Sequence, residues 1–220
     1  MSTHGSTPEG LHKGPVDHVV THGTFSLDGG TWEVDNNVWV VGDENEVVVI
    51  DAAHDPEAIG GIIAGRRVVA VVCTHAHDDH VNQAPRLADT FNAPILLNPA
   101  EAPLWEMTHP HRAPDQEIGD GQIITAGGIE LRALVTPGHS PGSTCLYAPE
   151  LKTVFTGDTL FNGGPGATGR SYSSFDTIID SIRGTLLPLP GDTTVRTGHG
   201  DSTTIGGEAP HLEEWIARGH

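Results

Sequence analysis

The segment Thr74-His-Ala-His-Asp-Asp-His80 contains the pattern His-x-His-x-Asp-His. His75, His77, Asp79 and His80 are four potential metal ligands in one short stretch. Three more stand far along the chain: His139 in Thr136-Pro-Gly-His-Ser, Asp158 in Thr156-Gly-Asp-Thr and His199 in Thr197-Gly-His-Gly. Imidazole and carboxylate donors without a thiolate suit zinc, iron, manganese or cobalt. Seven side chains are too many for one tetrahedral ion. They divide over two divalent ions, with His75, His77 and His139 on the first and Asp79, His80 and His199 on the second. Asp158 then bridges, and a shared water fits between the ions. Zinc brings a bound water to a pKa of about 7, so hydroxide forms at neutral pH without a strong base. Two such ions outweigh two carboxylates and one hydroxide, leaving positive charge to steady an oxyanion. The pattern therefore points to hydrolysis. A structural zinc site would be closed and cysteine-rich, and this one is neither.

Such a site needs strands to deliver it. Val38-Trp-Val-Val41 and Val47-Val-Val-Ile50 flank the turn Gly42-Asp-Glu-Asn45, a hairpin signal. Val68–Cys73 is a continuous apolar run and reads as a buried strand. Further strands are expected over Pro94–Leu97, Gln122–Thr125, Ile129–Val135, Thr144–Tyr147, Thr153–Thr156 and Thr193–Thr197. Helices are expected over Pro56–Ala64 after Asp55, His80–Phe91 after Asp79, Ser174–Leu187 and Glu208–Arg218. Pro85 is an awkward residue inside the second. Strands and helices alternate, so the class is α/β. His75, His139, Asp158 and His199 each fall just past the end of an expected strand, where sites of sheet proteins are assembled. A lone His-x-His is usually a surface feature; histidines scattered through a core would not share this placement.

Composition narrows the function. The 29 acidic residues against 11 Lys plus Arg give a net charge of −18, which repels a phosphate backbone. No basic run offsets it, so nucleic acid is not an expected partner. Cys73 and Cys145 lie in apolar, strand-like stretches and read as buried thiols. The first residues lack an apolar core of the signal-peptide kind, and no stretch has the length of a membrane span, so a cytoplasmic protein is expected. Residues 1–16 read as a loose arm and 17–220 as one domain. His4, His12, His18 and His22 have no ligand spacing and read as surface histidines. Trp105, Met107, His109 and His111 fall in a Pro-rich loop left outside the site.

On the motifs Thr74–His80, Thr136-Pro-Gly-His139, Phe155-Thr-Gly-Asp158 and Thr197-Gly-His199-Gly, the chain resembles the metallo-β-lactamase superfamily over nearly its whole length. The resemblance implies a four-layer αββα sandwich with the metals at one edge of the two sheets. Asp51 is similar to an early motif aspartate that supports the metal loop from behind its ligands. Phe155-Thr-Gly-Asp-Thr-Leu-Phe161 resembles the glyoxalase II branch, which hydrolyses acyl-thiol conjugates; true lactamases lack a bridging aspartate there. In that branch a basic residue and a tyrosine two positions later hold the thiol carrier, and Arg170-Ser-Tyr172 is similar in type and spacing. The loop before it, Asn162–Gly169, runs a few residues longer than in glyoxalase II. The chain has room for one helix after His199, where glyoxalase II carries a helical domain, so a small thiol other than glutathione becomes an option.

The expected reaction is thioester hydrolysis through a metal-bridging hydroxide. Asp79 is the expected catalytic carboxylate, orienting the hydroxide proton. Zinc is the expected metal, with iron or manganese as alternatives. The expected partner is a small acyl-thiol substrate, and oligomeric state is left open. A thiol leaves with a pKa of about 8.5, so no dedicated acid is required. The alternative is a persulfide dioxygenase, with one Fe(II) on His75, His139 and Asp158.

Overall fold

The computed structural model describes residues 14–219. Period-two alternation sets its layers. In the Val38–Val41 run, Val38 and Val40 face one apolar cluster while Trp39 and Val41 face another. Val47 and Val49 repeat the first direction, Val48 and Ile50 the second. Both faces are buried, so the strands read as continuous apolar runs.

The first sheet has the order β1 (Val16–Leu27), β2 (Gly30–Gly42), β3 (Glu46–Ile50), β4 (Arg67–Val72), β5 (Ile95–Leu97), β6 (Gln116–Glu117). The expected hairpin is present, with Trp39 opposite Ile50 and Gly42 opposite Val47. The second sheet contains β7 (Ile123–Ala126), β8 (Ile129–Val135), β9 (Thr144–Ala148) and β10 (Thr153–Gly157). A small ribbon, β11 (Leu160–Phe161) with β12 (Gly164–Pro165), stands apart. β13 (Thr194–Thr197) and β14 (Thr203–Thr204) complete the second sheet in the order β14-β13-β10-β9-β8-β7. Between the sheets, Trp39, Val48, Ile50 and Val72 meet Leu131, Ala133, Leu146 and Phe155.

Helices α1 (Pro56–Ile63), α2 (Asp78–Val81), α3 (Ala84–Phe91) and α4 (Ala102–Thr108) cover the first sheet's outer face. α5 (Phe175–Ser181), α6 (Ile205–Glu208) and α7 (Leu212–Arg218) cover the second's, where Ile178, Ile182, Ile205 and Trp215 meet Cys145, Val154 and Val195. The result is the αββα sandwich. Among the described residues no helix is long and apolar enough to cross a membrane.

Several expectations change. The helix expected over His80–Phe91 is two helices, α2 and α3, with Pro85 in the first turn of α3. Proline fits that turn and would break an interior. Asp79 is therefore not an N-cap; His77 holds that position. Pro210 likewise divides the last expected helix, between α6 and α7. The Pro-rich segment around Trp105 contains helix α4, and Trp105 is buried with its indole donating to the Arg112 carbonyl (2.6 Å). β1 and the first half of β2 were not expected. Both are largely exposed, so their alternation carries little apolar signal. Val16 pairs with Val41 in that hairpin; the rest of the expected arm, through residue 13, lies outside the described residues together with His4 and His12. His18 and His22 are on the exposed face of β1.

Phe155 sits in the inter-sheet layer at 1% exposure. Phe155→Ala is expected to lower stability by about 3–5 kcal/mol, read as a reduced urea midpoint with an unchanged slope.

Candidate metal centre

Five strand ends converge on one edge of the sandwich. β3 runs into Asp51 and β4 into Thr74–His80; β8, β10 and β13 run into the turns carrying His139, Asp158 and His199. All seven expected ligand candidates come together. Three groups each place one donor atom per residue within 4.8 Å of the others: His75/His77/His139, His75/His80/Asp158 and Asp79/His80/His199. His77 Nδ1 is 3.1 Å from His75 Nε2 and 3.0 Å from His139 Nε2. His80 Nε2 is 3.1 Å from His199 Nε2 and 3.5 Å from Asp79 Oδ2. Asp158 lies between the groups, with Oδ1 3.4 Å from His80 Nε2 and Oδ2 3.6 and 3.4 Å from Nε2 of His139 and His199.

The far side of each ring decides what the near side presents. His139 Nδ1 donates to the Ala167 carbonyl (2.8 Å) and His199 Nδ1 to the Asp35 carbonyl (2.7 Å). His80 Nδ1 donates to Asp51 (3.0 Å). His75 Nδ1 meets the Thr74 hydroxyl (3.0 Å), which itself donates to Asp51 (2.8 Å). Each of these four rings thus turns Nε2 inward. Facing lone pairs repel unless positive charge lies between them. Asp158 Oδ1 is also buried with no hydrogen-bond partner. Unpaired donor atoms of this kind fit divalent cations.

The electrostatics divide along the same line. Burial pushes His75 well below the usual imidazole range, lowers His139 and takes His77 down to about 3. These rings are neutral, the form that ligates. Burial also opposes charge on His80 and His199, but the carboxylates prevail. Asp79, Asp158 and Asp51 raise His80 well above its ordinary value, and Asp158 and Asp79 raise His199 to about 10. Burial would raise Asp79, yet His80, His199 and Asn36 hold it at about 2. Asp158 is held low against burial by His199 and His80. This half of the site requires positive charge, which protons or a cation can supply.

Supporting residues were only partly visible in sequence. Asp51 accepts from the Thr74 amide (2.8 Å) as well as from His80, on the far side of that ring from the cluster. Glu101 gave no sequence signal. Its buried carboxylate accepts from the Ala76 amide (2.7 Å), the Ser140 hydroxyl and the Gly142 amide (both 2.6 Å). It ties the His75–His80 turn to the His139 loop. Burial raises its pKa, and these hydrogen bonds oppose the rise. Gly198 permits a close approach: an added Cβ would strike Asp158 Oδ1 and the His80 ring.

His77, Asp79, His139, Asp158 and His199 floor a cavity of about 500 Å³ walled by Phe25, Trp32, Phe161 and Arg170. The Arg170 guanidinium lies 3.9 Å from the Trp32 ring centre, a cation–π contact. Arg170 thus reaches the site. Tyr172 does not line it; its backbone is left-handed (φ 69°) and the residue is 47% exposed. Phe25 and Trp32 come from the unexpected hairpin. A larger hollow of about 750 Å³ between α4 and β6 holds none of the seven donors, so chemistry rather than size marks the site.

The sequence profile of the metallo-beta-lactamase superfamily matches residues 31–199. The chain belongs to that superfamily. "Hydroxyacylglutathione hydrolase GloC" of Haemophilus influenzae is 34% identical over 182 residues, spanning 76% of this chain and 85% of the relative. The crystal structure of TTHA1623 in a di-iron-bound form matches at TM-score 0.72 and 31% identity, covering 80% of this chain and 93% of that one. The BLEG-1 B3 metallo-beta-lactamase matches at TM-score 0.72 and 28% identity, covering 87% and 98%. Superfamily membership and the His/Asp cluster support a metal-dependent hydrolase.

Two outcomes are expected from metal removal. Chelator-stripped protein should gain thermal stability with free zinc, by about 2.7 kcal/mol at a hundredfold excess over Kd, and Asp158→Ala should flatten that response. Zinc binding near pH 7.5 should release protons from His80 and His199, whose values are raised, and none from His77 at about 3. Calorimetry in buffers of differing ionisation enthalpy measures the release.

Proposed function

We propose that this chain is a binuclear metal-dependent thioesterase acting on acyl conjugates of a small thiol. The carrying observation is Asp158, whose two oxygens face His80 on one side and His139 and His199 on the other. His75, His77 and His139 would hold one ion and Asp79, His80 and His199 the second, with Asp158 shared. Zinc stands first, with iron or manganese compatible with the same donors. Bound there, the ions supply water activated at neutral pH and stabilisation of developing negative charge.

The chain's own groups do the rest. Asp79 is a carboxylate throughout the working range and faces the cluster, pinned by Asn36 at 3.0 Å; it orients the proton of the attacking water. Phe25, Trp32 and Phe161 form an apolar wall that limits water around the acyl group. Arg170 places positive charge on that wall, fitting a carboxylate on the thiol carrier. The thiolate is a good leaving group, so the reaction needs no dedicated acid. The similarity to the hydroxyacylglutathione hydrolase GloC and to the di-iron form of TTHA1623 supports this reading.

Metal-loaded protein should turn over thioesters of glutathione or of another small thiol. Asp158→Ala should lower kcat/KM by more than the roughly 10–100-fold typical of losing an outer-sphere partner. Arg170→Ala should raise KM with little change in kcat, the mark of lost uniform binding. Failure of the loaded protein to hydrolyse any thioester in the panel would sink the proposal. One iron per chain with oxygen uptake would favour a dioxygenase, and turnover of β-lactams alone would favour a lactamase.

A further inference from the structure

Asp79 is gripped from outside the cluster by a run of three side chains. Asn36 Nδ2 donates to Asp79 Oδ2 (3.0 Å), and the other end of that amide, Oδ1, meets His54 Nε2 (2.9 Å). His54 Nδ1 meets Asn82 Nδ2 (2.9 Å), and the His54 amide donates to Asn82 Oδ1 (2.7 Å). One end fixes the sense of the whole run. A carboxylate only accepts, so Asn36 must turn its NH₂ toward Asp79. Its oxygen then faces His54, whose Nε2 must donate. Nδ1 is left as an acceptor, and Asn82 supplies the donor. Every member is satisfied in one arrangement, and reversing any one sets like against like.

His54 is held for this role. Its backbone is left-handed (φ 56°), a conformation unfavourable for a residue with a Cβ. Its ring packs over Gly23 of β1, where an added Cβ would strike the imidazole. Burial lowers its pKa, which keeps the ring neutral as the run requires. Asn36 is completely buried, and its Nδ2 also lies 3.3 Å from His80 Nε2.

We propose that His54 is a positioning residue for Asp79, locking the Asn36 amide so that its NH₂ holds Oδ2, the oxygen that faces His80 and His199, in the cluster. This rests on Asp79 being a ligand of the second ion. Removing the imidazole frees the Asn36 amide to rotate, and Asp79 loses its fixed orientation.

The test uses His54→Gly, which also relieves the left-handed strain; His54→Gln, which keeps a donor near the Nε2 position; and Gly23→Ala, which displaces the ring without altering it. Stripped protein is titrated with zinc alone. In His54→Gly and Gly23→Ala, affinity at one of two sites should fall about 10–100-fold with the other unchanged, and His54→Gln should recover most of the loss. Nitrogen NMR of the stripped wild type should show His54 as the Nε2–H tautomer and slow exchange of the Asn36 side-chain amide, lost in His54→Gly. Unchanged affinities in both disrupting variants, equal weakening at both sites with a fallen melting temperature, or an Nδ1–H tautomer would overturn the proposal. Wild type binding no zinc, with the Nε2–H tautomer intact, would instead remove the ligand reading on which it rests, and with it the proposal.

Discussion

Lone pairs held facing one another at about 3 Å are the constraint around which this molecule is organised. Imidazole nitrogens would separate, or borrow protons, if their supports were soft. They stay together here because the outward nitrogens of four rings are tied to Ala167, Asp35, Asp51 and Thr74, while the carboxylates favour positive charge, from protons or a cation, at His80 and His199. Those ties select the tautomer as well as the orientation. The cluster is thus preorganised for positive charge, and its ordering cost falls on folding rather than on binding.

The sandwich makes that preorganisation possible. Two sheets packed through Trp39, Ile50, Leu146 and Phe155 hold five strand ends at one edge. A strand packed on both faces is held by side-chain fit against two layers, so the turns it feeds are fixed in place. Across the gap, Glu101 joins a turn of the first sheet to a loop of the second with three hydrogen bonds. A buried carboxylate satisfied this way is costly to disturb, which makes it a rigid strut. Arg170 and the β1–β2 hairpin then add the wall, joined through the Trp32 face.

The fold was legible where burial wrote a strong period. Val38–Val41, Val47–Ile50 and Ile129–Val135 could be placed because both faces, or one clean face, are apolar. β1 could not be placed, since only Thr21 and Leu27 are buried along its length. The helix after His80 was placed too long because its apolar period runs on through the break, while Pro85 in fact begins a new helix. Arg170 and Tyr172 share a motif but not a site: a left-handed residue at 172 turns the tyrosine outward.

The sequence by itself determined the donors: which atoms could ligate, that no thiolate joins them, and that each follows a strand. Those properties are local, carried by residue type and short-range pattern. Only the tertiary structure decided the partners that aim them. Glu101, Asn36 and His54 are ordinary polar residues whose meaning comes from hydrogen bonds across the fold, to Gly142, Asp79 and Asn82. Such pairings leave no periodic trace along the chain, because a hydrogen bond depends on where two atoms meet in space and not on how many residues lie between them.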